Sequence, residues 1–160
     1  MPRKLTHLDA AGRVRMVDVG AKRVTRRVAV ARGRVFMSAG TLRLLTKGGH
    51  PKGDAIATAH LAGVLAAKRA SDLIPLAHAL PLDAIDLAFA PDPSTASVGI
   101  EARVATRART GVEMEALVAV AMAALTLYDM LKSADRNMVI GDIALWEKRG
   151  GRSGVHRRRA

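Results

Sequence analysis

Residues 82–108 read LDAIDLAFAPDPSTASVGIEARVATRA, and this stretch decides the fold. In its first third Ile85, Leu87 and Phe89 recur at every second position, so they share one face of an extended chain. In its last third Val98, Ile100, Ala102 and Val104 do the same. Between them PDPST, residues 91–95, has the composition of a turn. Two alternating runs joined by a turn read as a β-hairpin with one buried face.

On the C-terminal side, Thr110-Gly111 breaks the second strand. From Val112 to about Arg136 the chain is rich in Ala, Leu and Met and holds no Pro or Gly, which predicts one long helix. Residues 138–146 follow as a strand, with Val139, Ile143 and Leu145 apolar. On the N-terminal side, Pro75 and Pro81 bracket a rigid loop, LIPLAHALPL. Residues 55–70 carry seven alanines behind Asp54, which predicts a capped helix that packs closely. Ser38 caps a shorter helix with Leu42, Leu44 and Leu45 on its apolar side, stopped by Gly48-Gly49 ahead of Pro51. Residues 24–37, VTRRVAVARGRVFM, read as a strand or a bent pair. Residues 1–20 read as an N-terminal arm, 21–148 as a single catalytic domain and 149–160 as a basic flexible tail.

The order is β, α, α, β, β, α, β. Without the extra helix this is βαββαβ, the ferredoxin-like arrangement of the α+β class. It predicts a mostly antiparallel sheet with helices packed on one face. The long third helix is apolar nearly all round between Ala116 and Tyr128, so it must bury more than one side. One sheet cannot cover it, and oligomerisation through this helix or the opposite sheet face is expected.

Composition narrows the function. A chain of 160 residues fits one domain with a substantial core. It has no cysteine, which excludes disulfides, a cysteine nucleophile and thiolate metal sites. Its aromatics are Phe36, Phe89, Tyr128 and Trp146, too few for a base-stacking platform. No run approaches 18 uninterrupted apolar residues and no apolar signal core opens the chain, so a soluble cytoplasmic protein is expected, with no membrane partner. The net charge of +12 is unevenly laid out: +8 over residues 1–34, −1 over 35–146 and +5 over 147–160. Either the two ends are solvated basic arms, or they bring cations to a phosphorylated ligand held by the near-neutral middle.

Four polar groups interrupt apolar sequence. In HPKGD, residues 50–54, Lys52 beside Gly53 stands before a helix, where an anion is favoured; a plain turn capped by Asp54 is the alternative. His78 lies in the proline-bracketed loop, either as a hydrogen-bonded structural residue or as a held ligand group. Glu113 and Glu115 open the long helix, where carboxylates complement the helix dipole. Asp129 and Lys132 are three apart near its end, either a surface ion pair or an acid/base pair in which Asp129 orients the lysine. Glu115 and Asp129 are fourteen residues apart, so about 21 Å separates them on one helix. If both serve one site, the ligand is long or a second subunit supplies one of them.

Across about Leu5 to Gly154 the chain resembles the cyclic pyranopterin monophosphate synthase family, the molybdenum cofactor biosynthesis protein C family. The resemblance rests on LTHLDAAGRVRMVDVGAK, PKGDAIATAHLAGVLAAKRASDLIPLAH, TGVEMEALVAVAMAALTLYDMLKSADRNMVIGDI and EKRGGRSG. It implies a ferredoxin-like lyase that rearranges a cyclised dihydroguanosine triphosphate, closes a cyclic phosphate and releases diphosphate. It also implies a homohexamer, a trimer of dimers, with active sites at subunit interfaces. By position, Lys52, Asp129 and Lys132 match the catalytic residues. Leu76, Ala77 and His78 match a substrate-binding loop, and Glu113, Met114 and Glu115 an acidic pocket segment. Lys22, Arg27 and Lys148 match basic residues near the two ends. The chain departs from the family at Ala77 and Ala79, which replace cysteine and proline, at Val28, which replaces glutamate, at Leu131, which replaces cysteine, and at Arg152, which replaces lysine. No protein metal site and no cofactor are required; Mg2+ enters only as a companion of the triphosphate. The competing reading is a non-catalytic basic module that binds RNA or another polyanion through its two ends; the enzyme reading expects no nucleic-acid partner.

Overall fold

The computed structural model describes Leu8, residues 11–47 and residues 53–159. The expected Gly48-Gly49 stop and Lys52 lie outside the described residues. The elements in chain order are β1 (Thr25–Phe36), α1 (Ala39–Lys47), α2 (Ala55–Lys68), α3 (Ala70–Leu73), β2 (Ala84–Asp92), β3 (Ser97–Ala108), α4 (Glu113–Leu131), β4 (Val139–Arg149) and β5 (His156–Arg157). The sheet runs β2-β3-β1-β4-β5, and every neighbouring pair is antiparallel. Its first four positions are the ferredoxin-like order that βαββαβ predicts.

The period-2 pattern puts the core on one face. Ala31 faces Ala102 and Val35 faces Val98 across β1 and β3, and all four are fully buried. On β2, Ile85, Leu87 and Phe89 stand opposite Val104, Ala102 and Ile100. The helices pack on this face, α4 over β1, β3 and β4, and α2 beside it over β2. Alanines make the approach close. A Cβ on Gly63 of α2 would lie 3.0 Å from Ala119 O and 3.4 Å from Ala123 Cβ on α4. A Cβ on Gly33 of β1 would lie 2.7 Å from Val120 Cγ1. Leu127 and Leu131 complete the core under α4.

Caps lock the helix starts. Ala57 N donates to Asp54 Oδ1 at 2.9 Å, and Thr41 N donates to Ser38 Oγ at 3.1 Å. Asp135 then accepts from Ser38 N at 2.8 Å and from Asn137 N at 2.9 Å. These bonds hold its carboxyl below the usual carboxylate range. They also explain why α4 ends at Leu131 rather than near Arg136: the chain turns so that Asp135 reaches the start of α1. The expected helix over 55–70 breaks at Arg69 into α2 and α3.

By length and composition α4 is apolar enough to cross a membrane, yet half of that stretch is buried on the sheet. The outward sides of α2 and α4 expose Leu61, Leu65 and Leu125. At the C-terminus, β4 runs past Trp146 to Arg149, and part of the segment expected as a tail is built into the sheet. His156 pairs with Lys148, and Glu147 binds both Arg149 and Arg157.

Candidate active site

Seven of the twelve expected site residues line one cavity. It measures about 400 Å³ and is bounded by Lys22, by Leu76, Ala77 and His78, and by Glu113, Met114 and Glu115. Val17, Val19, Leu80, Thr110 and Gly111 complete the wall.

Three segments converge there, each fixed locally. The proline-bracketed loop is pinned by Ala77 N donating to Ile74 O at 3.0 Å, and by Thr106 Oγ1 donating to Pro81 O. This loop presents His78, whose Nε2 lies 2.8 Å from Val17 O. The start of α4 supplies the carboxylates. Glu113 folds its carboxylate back over Gly111, where the missing side chain leaves room for it. Lys22 arrives on the segment leading into β1, with its N donating to Val19 O at 3.0 Å.

The cavity holds groups of opposite character. Glu115 is 4% exposed, and burial raises its pKa above the ordinary value of 4.5, with the Glu113 charge adding to the rise. A buried carboxyl of this kind offers either a hydrogen-bond acceptor or a donor to a ligand. Lys22 adds a basic side chain to the same lining, and Met114 supplies apolar surface. Such a cavity offers hydrogen-bonding groups, a cation and apolar surface side by side.

Arg27 stands just behind it. Its Nη2 donates to Arg109 O at 3.2 Å, next to the Thr110-Gly111 wall, and its Nε is buried without a hydrogen-bond partner. Gly150 and Gly151, both with positive φ, pass so close that a Cβ on either would meet Arg26 O or the Arg27 guanidinium. Lys148 does not line the cavity; it donates to Ser153 Oγ at the same end of the sheet.

Asp129 and Lys132 are not brought to the cavity. They form an exposed ion pair, 2.7 Å from Nζ to Oδ1, at the opposite end of α4. Lys52 lies outside the described residues. Among the described residues no cluster of three or more His, Asp or Glu is arranged to hold a metal ion.

A larger hollow of about 750 Å³ lies on the other face of the sheet and contains none of the expected residues. Three of its charged residues are engaged: Arg32 Nε is 2.6 Å from Glu101 and its guanidinium is 4.6 Å from the Trp146 ring centre, while Arg34 is 3.4 Å from Asp92. The smaller cavity is the better candidate because it gathers seven of the expected residues, among them the buried Glu115.

Sequence reasoning missed Val17, Val19 and Thr110. The arm is short and mixed, so no periodicity places it against the cavity. The signal available was VDVG, where Gly20 N donates to Asp18 Oδ1 at 2.8 Å and turns the chain back.

The fold is that of an α+β ferredoxin-like protein, with a cavity of mixed charge at one end of its sheet. The MoaC family model matches residues 16–151, and the chain belongs to the MoaC family. A cyclic pyranopterin monophosphate synthase of Chloroflexus aggregans is 58% identical over 151 residues, 94% of this chain and 92% of that protein. One from Pelotomaculum thermopropionicum is 56% identical over 155 residues, 97% and 91% respectively. One from Roseiflexus sp. is 59% identical over 150 residues, 94% and 95%.

Proposed function

We propose that this chain is a cyclic pyranopterin monophosphate synthase, a lyase of molybdenum cofactor biosynthesis. It converts (8S)-3',8-cyclo-7,8-dihydroguanosine 5'-triphosphate to cyclic pyranopterin monophosphate and diphosphate. The observation that carries this reading is the convergence of Lys22, His78 and Glu113–Glu115, from three distant segments, on one cavity. Near-full-length identity to synthases of that name supports it.

In this reading Glu113 and Glu115 accept hydrogen bonds from the guanine-like amino and ring N–H groups. Lys22, with Arg27 and Lys148 at the rim, neutralises phosphate oxygens as the ribose hydroxyl attacks phosphorus and diphosphate departs. Lys132, oriented by Asp129, relays protons during ring rearrangement, and Lys52 adds a cation for the phosphate oxygens. Because the cavity and the Asp129–Lys132 pair stand at opposite ends of α4, a second subunit supplies the pair. The exposed Leu61, Leu65 and Leu125 are apolar surface for such contacts, and the assembly is a homohexamer of three dimers. The sequence calls for no cofactor, and Mg2+ can accompany the triphosphate. The reading places the enzyme in the cytoplasm, without membrane or nucleic-acid partners.

The test is direct. The purified protein, given the cyclised triphosphate, releases diphosphate and forms the pyranopterin. Absence of turnover together with tight, salt-sensitive RNA binding overturns the enzyme reading in favour of a polyanion-binding module.

A further inference from the structure

The N-terminal segment is tied to the cavity by a side chain from the opposite wall. His78 Nε2 lies 2.8 Å from Val17 O. A carbonyl can only accept, so Nε2 carries the hydrogen and donates it. His78 itself has little freedom, since its loop is pinned at Ile74 and Pro81. Downstream of Val17 the chain makes two turns on itself, Gly20 N to Asp18 Oδ1 at 2.8 Å and Lys22 N to Val19 O at 3.0 Å. It then enters β1 at Thr25.

Residues 17–22 contain no helix or strand, and upstream of them Val14 and Met16 are exposed. A segment with so few buried contacts opens locally unless something fastens it. The sheet fastens one end. The His78 bond fastens the other, and Lys22 sits between the two.

We infer that His78 is a positioning residue: its Nε2 fastens residues 17–22 as a strap that forms one wall of the cavity and fixes where Lys22 enters it. The imidazole acts on the ligand through the strap. This deepens the functional reading for the kinetic measurement below, whereas the proteolytic measurement stands without it.

The test compares His78→Gln, whose amide nitrogen reaches the position of Nε2 and can donate to Val17 O, with His78→Asn, whose amide is too short. Trypsin is applied to the full-length folded protein without ligand, and cleavage after Arg15, Lys22 and Arg23 is followed. Loss of one hydrogen bond raises the open population up to about tenfold, and at low trypsin, where reclosing outpaces cleavage, the cleavage rate rises with it. His78→Asn is therefore cut up to about tenfold faster than wild type, and His78→Gln markedly more slowly than His78→Asn. In turnover assays His78→Asn has a higher KM than His78→Gln, with the two kcat values close together. Equal cleavage of the two variants overturns the inference. So does a pair of variants that differ in kcat and not in KM. If wild type shows the expected cleavage pattern but no turnover, the functional reading falls and the strap stands.

Discussion

Glu115 and Asp129 sit at opposite ends of α4, fourteen residues apart, the first buried in the cavity wall and the second on the surface in an ion pair with Lys132. A helix rises about 1.5 Å per residue, so about 21 Å lies between them. Within one subunit they cannot touch the same reacting atom. The predictions below follow from this separation and from the environments at each end.

Asp129→Asn and Lys132→Ala are expected to remove turnover while leaving fold and assembly intact. The pair is more than half exposed, so its contribution to stability is under about 1 kcal/mol. A lost proton relay costs at least about 100-fold in rate. Steady-state kinetics beside thermal melting and sizing chromatography check this; a near wild-type rate in either variant refutes the acid/base assignment.

Burial of Glu115 gives a pH signature. Its folded pKa lies above the ordinary 4.5, so the folded state binds the proton more tightly than the unfolded state. Stability from the neutral carboxyl is complete below the unfolded value and is lost as pH rises to the folded one. Glu115→Gln, which stays neutral, should match wild type in urea midpoint at about pH 4 and exceed it at about pH 8. Wild type gaining on the variant as pH rises would show that the carboxylate is stabilised where it sits.

Gly63 sets the spacing of the two main helices. Gly63→Val forces its side chain against Leu87 Cδ2, Ala119 O and Ala123 Cβ. Overpacking of this kind costs about 1–3 kcal/mol, enough to lower the melting temperature by several degrees. An unchanged melting temperature would mean that α2 and α4 separate without penalty.

The fold was legible because its signals are local. Alternation in residues 84–92 and 97–108 marks the hairpin, and the run without Gly or Pro after Val112 marks α4. The end of α4 was not legible, because Asp135 stops it by capping α1 some 97 residues upstream in sequence. Much of the cavity followed from matching residues in short segments, Leu76–His78 and Glu113–Glu115. The Val17 wall did not, since its contact is made by a backbone carbonyl that no side-chain pattern announces. In the proposed shared site Asp129 and Lys132 meet the cavity across subunits, a relation that one chain cannot encode as a contact.

Mixing two inactive variants tests the shared site most directly. Glu115→Gln and Asp129→Asn, coexpressed with different tags and purified as mixed oligomers, should regain activity that neither has alone. If one subunit supplies the cavity and its neighbour supplies the pair, random assembly leaves about a quarter of the sites with both groups intact. Asp129→Asn mixed with Lys132→Ala should regain none, because both changes fall on the same contribution. Recovery near a quarter in the first mixture and none in the second is the predicted result. No recovery in the first mixture, with mixed oligomers demonstrated, would contradict a site shared between subunits.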